Sequence, residues 1–158
     1  MKLHKIIASG LGTGFAPIAP GTAGSMLGIF LFWIFNDQII RLDIDSLNIL
    51  FLNLFAIILV VFAGTYSIKK VHKLWEHDAS QIVIDEIAGV WIAAFALPFN
   101  WIYYLDALVL FRLFDIYKPL YIRKIDNMHS DWSVMLDDVL AGIYSLIVMQ
   151  ILLYFNII

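Results

Sequence analysis

LNILFLNLFAIILVVFAGTYSI, residues 47–68, carries no charged side chain over its whole length. A stretch of about 17–25 apolar residues is what a helix needs to cross the hydrocarbon core of a bilayer. This segment therefore reads as a membrane span, and the chain on either side is read against it. Upstream, residues 22–35 form a shorter apolar run. Downstream, residues 82–97, 104–117 and 135–155 form three more. Pro98-Phe99-Asn100 reads as a turn between the third and fourth segments, and Pro119 stops the fourth. The third and fourth segments are only about 21–24 Å long at 1.5 Å per residue. They are expected as two short spans or as a re-entrant pair.

Composition agrees with that reading. Of the 158 residues, 62% are hydrophobic and 15% charged, with a mean hydropathy of +0.87. Soluble domains run nearer about 45–50% apolar and 25% charged. The expected fold is all-α: a polytopic membrane helical bundle of about four to five spanning or membrane-embedded helices, forming a single domain over residues 1–158. The net charge of −3 and the lack of a basic patch with interleaved aromatics argue against a nucleic-acid partner. No signal of oligomeric state is visible. The absence of cysteine excludes disulfides, thiolate zinc sites and a cysteine nucleophile. Gly10, Gly12, Gly14, Pro17 and Pro20 interrupt the N-terminal apolar stretch, so no cleaved signal peptide is expected.

With five spans, Lys2, Lys5, Lys69, Lys70, Lys73, Lys118, Arg123 and Lys124 fall on one side, with Arg112 just inside its boundary. Only Arg41 falls on the other. The basic side is expected to face the cytoplasm. Trp101, Tyr103 and Tyr104 are expected at the opposite interface, as an aromatic belt. The unusual motifs all fall on the basic side.

Two of them are acidic. Asp85-Glu86 opens a helix in IVIDEIAGVWIA (82–93), and Asp137-Asp138 opens another in VMLDDVLAGIYS (134–145). Carboxylates beside hydrocarbon are costly and face protein or water. Helix-dipole stabilisation explains an acid in a first turn, and ion pairing with nearby lysines is another plain explanation. The apolar flanks favour a shared cation site. Gly89 and Ala93 below Glu86, and Ala141, Gly142 and Ser145 below Asp138, would let the two helices approach closely. An all-oxygen donor set, with Asp78 as a further candidate, suits Mg²⁺ or Mn²⁺ better than zinc.

A third motif, Arg112, Asp115 and Lys118 in FRLFDIYKPLYIRKID (111–126), lies on one helical stripe. It is either a snorkelling arginine with an intrahelical salt bridge or a phosphate clasp, with Asp115 as ligand, nucleophile or orienting group. Asp126, beside Arg123 and Lys124, reads as solvated or facing headgroups. In GLGTGFAPIAPGTAGS (10–25), Thr22 is a candidate N-cap; alternatively, helix-terminal amides with the Thr22 and Ser25 hydroxyls bind a phosphate. His4 and His72 read as surface residues, and His129 as a proton carrier.

Taken together, these motifs resemble the bacterial phosphatidylglycerophosphatase A family. The likeness runs from Gly10 to about Ser145 through GTGFAPIAPGTAGS, HDASQIVIDEIAGVWI, FRLFDIYKPLYIRKID and VMLDDVLAGIYS in order. It implies a Mg²⁺-dependent, multi-pass enzyme of the bacterial inner membrane with a cytoplasm-facing active site. Its substrate would be the membrane phospholipid phosphatidylglycerophosphate, converted to phosphatidylglycerol by loss of the terminal phosphate. By motif position, Asp85, Glu86, Asp137 and Asp138 carry over as metal and catalytic acids, and Arg112, Asp115 and Lys118 as the central polar motif. Ser130-Asp131-Trp132 departs from the Gly-rich stretch expected there. Water attack and an aspartyl-phosphate intermediate both stay open.

Three other classes compete, one of them a structural scaffold, for which this density of aligned charge has no purpose. A small cation transporter would spread its acids toward the midplane, whereas here they cluster at one edge. An alcohol-headgroup phosphotransferase would show a DG…AR…G…D…D pattern, which this chain lacks. The orientation is tested by placing cysteine at Ser80. Ser80→Cys should react with impermeant thiol reagents only after the cells are opened; labelling of intact cells would invert the topology.

Overall fold

The computed structural model describes residues 2–75, 79–128 and 130–158, and every regular element among them is a helix. Helix α1 (Lys2–Ala8) and a 3-10 segment (Gly10–Phe15) precede α2 (Pro20–Arg41) and α3 (Ser46–Val71). After them come α4 (Ile84–Ala93), α5 (Trp101–Tyr117), the short α6 (Ile122–Asp126) and α7 (Ser133–Tyr154). Helices α2, α3 and α7 are long and apolar enough to cross a membrane.

Helix α3 shows how the bundle is turned inside out relative to a soluble one. Phe51, Phe55, Leu59 and Phe62 are exposed, while Asn53, Gly64, Thr65 and Ser67 are buried. Lipid solvates the large apolar side chains, so small and polar residues take the helix contacts. Asp45 caps the helix, its side chain accepting from the Asn48 amide.

Helix α2 is longer than the expected 22–35 run. It begins at Pro20 behind Ala19, whose φ of 49° is left-handed. Proline suits the first helical position, where no N–H is needed, so Thr22 lies inside the first turn and is not the N-cap. At the other end, Asn36 does not stop the helix. Its amide donates to the Phe32 carbonyl at 3.0 Å and its side-chain oxygen accepts from Asn53 at 2.8 Å. The polar group is satisfied within the bundle, so the helix continues.

The third segment, expected as a short span or as half of a re-entrant pair, is shorter than its apolar run. Helix α4 has ten residues, about 15 Å, half of the hydrocarbon thickness. It ends in a turn in which Ala96 takes a φ of 57°, ahead of Pro98. It tolerates that length because it is enclosed by α2, α3, α5 and α7. Seven of its ten residues are buried, so protein rather than lipid surrounds it. Helix α5 returns antiparallel, capped by Asn100, whose side chain accepts from the Ile102 amide at 3.0 Å. Tyr104 is 4% exposed and packs against Phe32 and Trp33. It belongs to the core and not to the expected interfacial belt, whereas Trp101 is exposed.

The contact between α4 and α7 sets the geometry of the bundle. A Cβ on Gly142 would run into the Gly89 carbonyl and come within 3.0 Å of the Ile92 Cβ. One on Gly89 would strike the Phe111 ring and approach the Asp138 carbonyl at 2.8 Å. The small faces expected below the acids therefore do pack on each other. Trp91 ties α4 to α2 by donating to the Gly28 carbonyl at 2.7 Å.

Gly142→Ala should lower stability by about 1–3 kcal/mol, the usual cost of overpacking, with helix content retained. Leu54→Ala on the lipid-facing side of α3 should have little effect. Thermal unfolding in detergent, followed by circular dichroism, makes the comparison; equal midpoints for all three proteins would refute the close approach.

Candidate active site

The N-terminal ends of α2, α4 and α7 and the C-terminal end of α5 meet around a cavity of about 280 Å³. It is lined by Pro20, Gly21 and Ser80 and by seven charged residues: Asp85, Glu86, Arg112, Asp115, Lys118, Asp137 and Asp138. The convergence expected of the motifs is therefore met. A larger cavity of about 590 Å³ lies at the far end, around Leu50, Leu97 and Phe99, and no charged residue lines it. Volume and chemistry disagree, and the charged lining marks the smaller cavity as the candidate site.

Asp85, Glu86 and Asp138 each offer a carboxylate oxygen, and the three oxygens lie within 4.8 Å of one another. Asp85 and Asp138 are 6% and 4% exposed. Asp85 Oδ1 also accepts from the Glu86 amide at 3.1 Å, in the first turn of α4. That turn faces α7 because Gly89, one turn below, permits the approach. Asp137 lies beside this trio and pairs with Lys118. Asp78 and His77 lie outside the described residues, as does His129.

Both expected phosphate-binding cations are present and already engaged. Arg112 Nη1 lies 2.6 Å from Asp115 Oδ2 and 3.9 Å from Glu86 Oε1, and donates to Ser25 Oγ at 3.4 Å. Ser25 is fully buried, with its hydroxyl donating to the Gly21 carbonyl at 2.8 Å. It stands behind Arg112. Thr22 is in the first turn of α2 and does not line the cavity. Lys118 Nζ donates to Asp126 Oδ1 at 2.5 Å and to Asp137 Oδ2 at 2.7 Å. Partial burial works against the Lys118 ammonium, but its hydrogen bonds and charge pairing with Asp126 and Asp137 outweigh that and raise its pKa above the ordinary lysine range.

Two features show what this arrangement can do. Five carboxylates and two cations line the cavity, so a phosphate dianion cannot enter until protons or a cation offset the excess negative charge. In addition, Glu86 Oε2 and Asp137 Oδ1 are buried acceptors with no partner, and Arg112 Nε is a buried donor with none. Leaving such groups unpaired costs about 1–3 kcal/mol each, and more when charged. Unpaired carboxylate oxygens fit a hard divalent cation, and an unpaired guanidinium N–H fits a phosphoryl oxygen.

Two contributors to the site, Gly21 and Asp126, escaped the sequence reading, as did the partners of two histidines outside it. Gly21 has no side chain to block Glu86 Oε1, which a Cβ there would hit. Asp126, read as solvated, pairs with Lys118 eight residues back. His72, read as surface, has its Nδ1 2.5 Å from Asp131 Oδ1, with its side chain 10% exposed; His4 Nδ1 lies 3.3 Å from Ser67 Oγ. Partners separated by fifty residues or more leave no local signal in the chain. Asp126 could have been suspected, because an acid at the C-terminal end of a helix opposes its dipole. Where a Gly-rich stretch was expected, Ser130 and Ser133 cap each other: each side-chain oxygen accepts the other's amide, at 3.0 and 3.1 Å.

Comparison with known proteins places the chain in a family. The chain is 40% identical over 152 residues to a Bacteroides thetaiotaomicron protein named "Putative phosphatidylinositol-3-phosphatase", covering 94% of this chain and 92% of that one. It is 36% identical over 143 residues to phosphatidylglycerophosphatase A of Escherichia coli, covering 89% and 77% of the two chains. It is 37% identical over 154 residues to the Haemophilus influenzae protein of that name, covering 94% and 88%. No solved structure matches the chain. Residues 6–153 match the family described as Phosphatidylglycerophosphatase A, and the chain, an all-helical membrane phosphatase, belongs to that family.

Proposed function

We propose that this enzyme hydrolyses the terminal phosphomonoester of phosphatidylglycerophosphate, releasing phosphate and leaving phosphatidylglycerol. The observation that carries the reading is a set of buried, unpartnered atoms on residues that line one cavity: Glu86 Oε2 and Asp137 Oδ1 as acceptors, Arg112 Nε as donor. A cation held by the first and a phosphoryl group bound by the second would satisfy all three.

In this reading Asp85, Glu86 and Asp138 hold Mg²⁺, with Asp137 beside them and Asp78 as a further candidate ligand. When bound, the ion offsets the charge of the carboxylates and of the phosphoryl oxygens. Arg112 and Lys118 bind those oxygens, Arg112 through its planar fork and Lys118 as a point charge. Asp115 and Ser25 hold Arg112 in place. As the water oxygen bonds to phosphorus and the bond from phosphorus to the lipid oxygen breaks, a carboxylate of the cluster takes a proton from the water and passes it to the departing oxygen, which leaves as the alcohol. Thr22, in the first turn of α2 next to Pro20 and Gly21, does not line the cavity and is left without a direct part in phosphate binding. Burial of the acids keeps the local dielectric low, so each fixed charge counts for more than it would in water. The acyl chains stay in the cytoplasmic leaflet of the bacterial inner membrane, and the headgroup enters from the cytoplasmic side, where the lysine-rich loops lie.

A second reading has one observation in its favour. The relative at 40% identity is named for an inositol phospholipid monoester; in this reading the headgroup beyond the phosphate is inositol rather than glycerol. The chemistry at phosphorus is the same in both cases.

Phosphate release by the purified protein should be highest on phosphatidylglycerophosphate when it is offered beside phosphatidylinositol 3-phosphate and phosphatidic acid. Preference for the inositol lipid would establish the second reading, and no release from any lipid would remove both. EDTA should abolish turnover and Mg²⁺ restore it; undiminished turnover in chelator would remove the cation. Asp138→Asn should lower kcat by about 10²–10³-fold, the scale of losing one electrostatic element of an active site, with membrane insertion unchanged. Wild-type turnover by that variant would exclude the cluster from the chemistry.

A further inference from the structure

Lys118 closes α5 with a φ of 44°, and Leu120, two residues on, has a φ of 54°. Left-handed backbone at residues other than glycine is strained and persists only where the surroundings impose it. Here the two positions flank Pro119 and fold the chain back, so that α6 lies against α7 with Ile122 fully buried. That fold brings Asp126, the last residue of α6, to Lys118.

An acid at this end of α6 gains nothing from the helix dipole. Its partner accounts for it. The lysine ammonium has three donors. One goes to Asp126 Oδ1 at 2.5 Å and one to Asp137 Oδ2 at 2.7 Å. Lys118 lines the cavity, so the third donor is left for a ligand there. A four-carbon stem held by only one carboxylate would lose that aim, because lysine is otherwise a flexible point charge.

We infer that Asp126 is a positioning residue: it shares Lys118 with Asp137 and thereby directs the remaining ammonium N–H at the phosphoryl group in the cavity. The inference rests on the phosphatase reading. Asp126 touches neither the substrate nor the acidic trio. It acts through Lys118, and its effect is greatest when charge builds on the phosphoryl oxygens, so it should be seen in kcat more than in KM.

The test compares kcat, KM and the thermal midpoint of the purified wild type with those of Asp126→Ala, Asp126→Glu and Arg123→Ala, on the lipid monoester that the wild type hydrolyses best. Asp126→Ala should lower kcat about 10- to 100-fold, the usual cost of removing a group that orients an active-site residue. Its KM should shift less than threefold and its midpoint should stay close to that of the wild type. Asp126→Glu should recover most of the loss, because it restores an anion for Lys118. Arg123→Ala, at an exposed position on the same short helix, should keep kcat within twofold. An Asp126→Ala enzyme within twofold of wild type would overturn the inference. So would a kcat loss matched by a fall in the midpoint and not recovered by glutamate, since that pattern means Asp126 only anchors α6. A wild type inactive on every lipid would instead overturn the phosphatase reading, a result distinct from either.

Discussion

Where Gly89 of α4 faces Gly142 of α7, neither residue has room for a β-carbon. That backbone contact sets the separation of the two helices, and the separation sets everything at their ends. Asp85 and Glu86 stand one turn above Gly89, and Asp138 one turn above Gly142. Their oxygens come within 4.8 Å of one another because the helices beneath them nearly touch. Close packing through small residues is the usual route to helix association in lipid, where no hydrophobic force pulls helices together. Here the same contact gathers buried negative charge that the bundle must then hold in place.

The charge is held by pairing. Arg112 is gripped by Asp115, with Glu86 nearby, and Lys118 is gripped by Asp126 and Asp137. Buried ion pairs of this kind add little net stability, since desolvation consumes most of the Coulomb gain. Their value is positional. Each cation is set at the cavity wall before any ligand arrives, so little reorganisation is left for the moment of binding. The acids outnumber the cations, which leaves the cavity short of positive charge and suited to a metal ion and an anion together.

Much of this was legible in the chain. The apolar run 47–68 identified a membrane bundle, and the structure extends it by only a few residues at either end. The four motifs were expected at one end of the bundle, and they line one cavity. The glycine and alanine faces below the acids were read as packing surfaces, and they are. The misreadings have physical causes. The 82–97 stretch was left open between a short span and half of a re-entrant pair, and its helix, α4, is shorter than the apolar run; hydropathy does not distinguish burial in lipid from burial in protein. Tyr104 looked like an interfacial aromatic for the same reason. His72 looked solvated because its partner, Asp131, lies 59 residues away in the chain, and Asp126 because only the folded turn through Pro119 carries it back to Lys118.

By itself, then, the sequence determined the class of fold, the residues able to carry charge at the membrane edge and the likeness to a phosphatase family. Those properties depend on side-chain chemistry and on spacing within single helices. Tertiary structure alone decided which acids share a site and which are tied to cations. It also decided which buried polar atoms stay unpaired and which short helix needs no lipid. These depend on distances of a few ångströms between segments far apart in the chain, and at that range electrostatic and packing energies change too steeply for pattern to predict.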